Sequence, residues 1–186
     1  MATFDAIAFL GDTLIAVLQK GLAGLVDPAN VLQSTPADYK EFAPVKPAVT
    51  LFLYHISVYG EMRNARPTSL QASRVPPLPL ELRYLITPWT QKPRDSHRIA
   101  GAIAQTLYQQ TRLGFSQLIG TGWAPDDSVE ILLESVPVSE HYEIWEPTDL
   151  PYRLSLTYLA RLVAIDATPS EAAPPVLLAA LPGLGP

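Results

Sequence analysis

Three histidines are the first residues to test for chemistry, because a neutral imidazole can hold a metal or move a proton near neutral pH. They stand at His55, His97 and His141. None is spaced as His-x-His or HExxH, and no ladder of carboxylates joins them, so the pattern assembles no metal site. His55 falls within an aromatic, β-branched run and reads as a hydrogen-bonded structural residue. His97 falls in the first turn of an expected helix, where packing or capping suits it. His141, with Glu140 and Glu143 nearby, reads as part of an exposed short helix. The serine of "GFSQL" (114–118) lacks the second glycine of a nucleophile elbow. "GTG" (120–122) is not followed by the Lys-Ser/Thr of a phosphate loop and reads as a turn. Asp126-Asp127 is a turn pair, since a calcium loop needs several more spaced oxygens. Glu140, Glu143 and Glu146 fall near one helical face; acid catalysis would need a partly desolvated pocket there, and the sequence indicates none. Trp89, Trp123 and Trp145 sit at element boundaries, as lids of the core or as anchors of a protein–protein contact. The side chains thus point to no enzymatic step, no metal and no cofactor.

The bulk of the chain agrees. Its 186 residues suffice for one domain with a sizeable core, or one domain plus a tail. Charged residues make up 17% and hydrophobic ones 48%, which suits a surface partly covered by partners. The net charge is −5 and basic residues form no cluster, which argues against nucleic acid. With no cysteine there is no disulfide framework and no thiolate chemistry. The start, Met1-Ala2-Thr3-Phe4-Asp5, has an acid where a secretory signal carries Lys or Arg. The apolar run Val176 to Leu181 is far shorter than the ~20 residues that cross a bilayer, so no membrane span is expected.

These residues must be held by a small set of elements. A helix is expected over residues 3–26, with Phe4, Ile7, Gly11, Leu14, Leu18, Leu22 and Leu25 as its stripe and Thr3 as its cap. Its other side, with Ala8, Ile15, Ala16 and Ala23, is also apolar, which predicts burial on two sides. Residues 28–47, with four prolines, read as an irregular connection. "AVTLFLYHISVY" (48–59) reads as a central strand, apolar on both faces. A loop over 60–73 carries Arg63 and Asn64. In "RVPPLPLELRYLIT" (74–87), Leu78, Leu80, Leu82, Tyr84 and Ile86 share one strand face. Pro76, Pro77 and Pro79 deny the ladder its early donors, so pairing is expected to begin only near Leu80.

A second helix is expected over 95–112, capped by Asp95, with the stripe Ile99, Ile103 and Leu107. The small Ala100, Gly101 and Ala104 would let it lie close to a sheet. The stretch 113–127 reads as irregular, 128–136 as a strand, and 139–145 as one or two helical turns capped by Ser139. Residues 152–166 read as a strand of roughly 45 Å, whose face of Arg153, Ser155, Thr157, Leu159, Arg161, Val163 and Ile165 turns from polar to apolar halfway. Either that strand is bulged or its far half meets a neighbour. The remainder, rich in Ala and Pro but holding Val176, Leu177, Leu178 and Leu181, suits docking onto something.

Three blocks carry a family resemblance: "VTLFLYHISVYGEMRNAR" (49–66), "PPLPLELRYLITPWTQKPRDSHRIAGAIAQTLY" (76–108) and "VEILLESVPVSEHYEIWEPTDLPYRLSLTYLARLVAID" (129–166). In this order the chain resembles the N-terminal domain of cap proteins of contractile injection systems, which are phage-tail-like particles. The resemblance implies an α+β fold, a mixed, largely antiparallel sheet flanked by helices as in tail terminators. It also implies a structural, non-enzymatic cap that forms a hexameric ring, ends the inner tube and contacts the last sheath ring. Assembly would take place in the bacterial cytoplasm as part of the particle, and another tube-end or baseplate adaptor, or a non-catalytic binding module, is the competing reading. Larger caps carry further domains, whereas here residues 1–166 would form the cap domain and 167–186 a Pro/Ala-rich tail. Expected partner contacts are Arg63 and Asn64 toward the tube, Arg153, and Leu177 and Leu178 in a neighbour's groove.

Overall fold

The apolar recurrence near the N-terminus does fold as a helix, over fewer residues than its pattern spans. In the computed structural model, residues 4–39, 46–60 and 77–165 are described. Helix α1 covers Ala6–Gly21, with Asp5 at its N-cap position but making no side-chain cap bond. The expected cap Thr3 lies outside the described residues. The buried line is Ala6, Leu10, Leu14, Leu18 and Leu22, a four-residue spacing that keeps one side of the helix inward. Phe4, expected to open the stripe, is 78% exposed. Ala8, Ala16 and Ala23 are also exposed, so the expected burial of a second side is not met within one copy. Gly21 does more than weaken the helix: a Cβ there would run into the Thr106 side chain, so it is what lets α1 approach the second long helix.

Among the described residues six strands form one sheet in the order β1–β2–β3–β6–β5–β4. They are β1 (Val31–Gln33), β2 (Ala48–Val58), β3 (Leu78–Trp89), β4 (Arg112–Gly114), β5 (Ser128–Leu133) and β6 (Leu156–Ile165). β1 runs parallel to β2, and every other pair is antiparallel. The edge strand β1 falls in a stretch expected to be irregular, and β4 straddles the end of the expected helix 95–112 and the irregular stretch after it. Three residues are too few to show an alternation. Short edges also leave little free ladder for unwanted pairing.

Proline acts on one side of β3 only. The Tyr59 N–H donates to the Pro79 carbonyl at 2.9 Å. A strand residue points its N–H and C=O to the same side, so the donor that Pro79 lacks faces β2. On that side pairing begins at Leu80 opposite Val58, as expected. On the β6 side it begins earlier, at Leu78 opposite Ile165, which corrects the expectation of a start near Leu80. Pro76 lies outside the described residues.

Two bulges set which side chains face which core. Between Leu80↔Val163 and Glu81↔Arg161 the register shifts, so one residue of β6 is extra. Val163 therefore leaves the face of Arg161 and joins that of Ala160, where it is fully buried. Of the two alternatives for the polar-to-apolar change, a bulged strand or a neighbour, the bulge is the one found, and the strand starts at Leu156 rather than residue 152. In β2 the shift falls between Leu53 and His55.

The main core lies between the sheet and two helices, α1 and α3 (Pro93–Tyr108). Ile99, Ala100, Ile103 and Leu107 of α3 face inward. Gly101, expected to face the sheet, is exposed with open space around its missing Cβ. Asp95 does not cap α3: Lys92 holds the cap position, Pro93 opens the helix, and Asp95 sits in the first turn, where it complements the positive helix end. The opposite sheet face carries a smaller core of Tyr39, Ala48, Leu85, Trp89 and Trp145. It is covered by the short helices α2 (Pro36–Tyr39) and α4 (Val138–Trp145). Pro137, not Ser139, precedes α4 at its cap position. The fold is α+β, with a mixed, largely antiparallel sheet carrying helices on both faces.

Candidate assembly surfaces

The three histidines stay apart, and no cluster of three or more His, Cys, Asp or Glu side chains suited to a metal occurs among the described residues. His55 follows the β2 bulge and is exposed, without a hydrogen bond among the described residues, so the expected bonded role is not found. His97 is exposed on the first turn of α3 and caps nothing. His141, expected on an exposed helix, is half-buried and meets the Thr157 hydroxyl through Nε2 at 3.0 Å. Burial lowers its pKa below 6.5, against an opposing pull from Glu140. The unfolded chain then takes up a proton first as pH falls, so stability is whole above pH 6.5 and declines below it. Denaturant titrations between pH 7 and 5 are expected to show this decline, and His141→Gln to flatten it; equal pH profiles would exclude His141 as its source.

Turns follow their chemistry. Gly120 and Gly122 both adopt positive φ, 94° and 97°, and a Cβ at Gly120 would strike Phe9. Asp127 accepts the Ala124 N–H at 2.6 Å, closing the turn expected for the acid pair. Glu143 and Glu146 are exposed on or just after α4. All three tryptophans are buried, and Trp89 donates from Nε1 to the Thr50 hydroxyl at 2.8 Å.

Two ion pairs hold the outer part of the small-core face, Arg83 with Glu134 at 3.1 Å and Arg161 with Glu81 at 3.0 Å. Each is partly exposed, so each contributes roughly 0–1 kcal/mol and mainly fixes side-chain direction.

Among the described residues, exposed apolar side chains are grouped in three places. A groove of about 440 Å³ runs between α3 and β5, lined by Ala104, Leu107, Tyr108, Ile131, Leu133 and Tyr158. Its rim residues Tyr108 and Leu133 are 80% and 57% exposed, and β4 pairs with β5 only as far as Glu130. Ile56, Val58 and Leu78 are exposed together where β2 ends and β3 begins. Val138, Tyr142, Tyr152 and Leu154 are exposed around α4. Such patches mark contact sites when they are grouped.

Of the expected contact residues, Arg153 places its guanidinium 4.7 Å from the centre of the Trp89 ring. Arg63, Asn64, Leu177 and Leu178 lie outside the described residues. The Tyr142–Trp145–Tyr152 grouping was not expected. Its first two members were readable as i, i+3 on a helix. Tyr152 joins them only because Asp149 takes a left-handed conformation, φ 57°, that turns the chain back. No helix among the described residues is long and apolar enough to cross a membrane.

Comparisons with known proteins fit this geometry. The family model of the Pvc16 N-terminal domain matches residues 10–178. The sheath/tube terminator of an extracellular contractile injection system, PVC, in its extended state has a similar fold: TM-score 0.61, 18% identity, over 99% of this chain and 67% of that one. The tube-terminating cap of the anti-feeding prophage is similar too, with TM-score 0.57 and 18% identity. That match takes in 91% of this chain but spans only 59% of the cap's length. No curated protein matches. The chain belongs to the Pvc16 N-terminal domain family, and its fold is that of the terminating caps of contractile injection systems.

Proposed function

We propose that this protein is a structural cap of a contractile injection system. Copies form a hexameric ring that ends the inner tube and meets the last sheath ring, with no enzymatic step. The observation that carries the reading is the family match over residues 10–178, together with a shared fold over nearly the whole chain. The grouped apolar patches support it, because a subunit of a ring buries flanks that a monomer leaves wet. The partners are further copies of the chain, the tube protein and the sheath protein, met in the bacterial cytoplasm during assembly. Residues 1–166 form the capping domain and 167–186 its tail. Arg63 and Asn64 face the tube, and Leu177 and Leu178 dock in a neighbour. Sheath attachment uses strand addition at a sheet edge; the proline-rich entrance of β3 does not control it, because β3 is an interior strand paired on both sides.

Deleting the gene and imaging the particles by electron microscopy tests this. Tubes and sheaths of uncontrolled length, or unstable ones, are expected. Particles of normal, uniform length would overturn the reading, and failure to nucleate any tube would assign the chain to the baseplate instead.

A further inference from the structure

Beside α4 a notch of about 390 Å³ is lined by Tyr142, Glu143, Trp145, Glu146, Leu150 and Tyr152. Two of its rings, Tyr142 and Tyr152, lie with centroids 4.8 Å apart at 34°. Trp145 meets Tyr152 edge-on, at 6.5 Å and 66°. Aromatic faces at an angle around an open space are an arrangement that attracts a cation through the ring quadrupoles. Glu143 and Glu146 stand three residues apart at the same rim, both exposed, and neither has an ion-pair partner among the described residues. The aromatic group already holds one cation of its own: Arg153 lies over Trp89, which packs 6.1 Å from Trp145. The rings and the carboxylates are independent features, and they select the same ligand.

We infer that this notch receives an arginine side chain presented by a different protein. Arginine suits it better than lysine, because a planar guanidinium stacks on rings while its fork reaches two carboxylates. A second copy of this chain is the poorer source. The chain carries a net charge of −5, so an acidic rim is complemented better by a basic partner than by another copy. Four of its six described arginines are also engaged at home, Arg83 and Arg161 in ion pairs, Arg112 on the Ser128 hydroxyl and Arg153 on Trp89, which leaves only Arg94 and Arg98 on α3. The inference stands whether or not the chain closes a tube.

The test titrates the whole chain with acetyl-Gly-Arg-Gly-amide and with the neutral citrulline analogue, following the Tyr142 and Tyr152 ring protons by NMR. Saturable shifts with the arginine peptide alone are expected. The double variant Glu143→Gln/Glu146→Gln should weaken them at least about fivefold, the scale of one lost charge-assisted contact. Both glutamates are exposed, so the variant keeps the fold, which its circular dichroism checks. Tyr152→Leu should abolish the response while leaving the carboxylates in place. Equal shifts with citrulline, or unchanged binding in the double variant, would overturn the inference. Sedimentation of the same variant separates the two sources: unchanged self-association supports a foreign partner, and its loss would overturn that assignment.

Discussion

Replacing Trp89 with alanine lowers the free energy of unfolding by about 3–5 kcal/mol, measured by denaturant titration. The residue is 2% exposed and stands at the centre of the smaller core. Tyr39 packs on it at 5.0 Å between ring centroids and Trp145 at 6.1 Å. The core has five buried residues among those described, with Phe52, Tyr54, Ile144 and Leu150 partly buried around it, so a hole of tryptophan size is filled only in part. Domains are stable by only about 5–15 kcal/mol, so this one truncation removes a large share. Trp89→Phe separates the ring from its hydrogen bond. It keeps most of the packing, removes the Nε1 bond to the buried Thr50 hydroxyl, and costs about 1–3 kcal/mol. A loss below about 1 kcal/mol in the alanine variant would show that the small core does not hold α2 and α4 to the sheet.

Val163→Asp carries the second large effect and tests the β6 bulge directly. Strict alternation would put residue 163 beside Arg161, on a partly wet face where an aspartate is harmless. The bulge instead turns it into the main core at 0% exposure, opposite Leu80. An unpaired carboxylate there costs about 4 kcal/mol or more and leaves little folded protein. Val163→Ala, which only removes methyl groups, costs about 2 kcal/mol. A soluble, stable Val163→Asp protein would mean that the strand runs regularly and that residue 163 faces outward.

How far the sequence spoke depends on the length of the signal. Long elements with a sustained period were legible: α1, α3, β2, β3 and β5 all lie where periodicity puts them, within a few residues at their ends. The three-residue strands β1 and β4 were not, because they carry less than one full alternation. β6 was legible in position but not in facing. A bulge changes parity without leaving a Gly or Pro to announce it, and Ala160-Arg161-Leu162-Val163 reads as plain alternation. The caps of α3 and α4 were misjudged for a single reason. A proline at the first turn, Pro93, or just before it, Pro137, fixes the entry without a side-chain oxygen, and the nearby Asp95 and Ser139 drew attention instead.

The site was less legible than the fold. The apolar groove beside β5 joins residues far apart in sequence, such as Tyr108 with Leu133, whereas the notch beside α4 is built from residues 142–152. Only the packing of α3 on the sheet, or the backbone reversal at Asp149, brings them together. What the sequence did carry was the composition that such surfaces require, apolar and poor in charge.

The place of β6 in the sheet has a consequence for how the protein is made. β6 lies between β3 and β5, yet among the described strands it is the last to leave the ribosome; Arg161 finds Glu81 across 80 residues of chain. A nascent chain without it has two fragments, β1–β2–β3 and β4–β5, with no lane between them filled. Closing contacts of such long sequence separation is slow, since the loop entropy is lost before the pairing rewards it. Translation itself therefore acts as a timer, and no partner can find a finished sheet before β6 has been made.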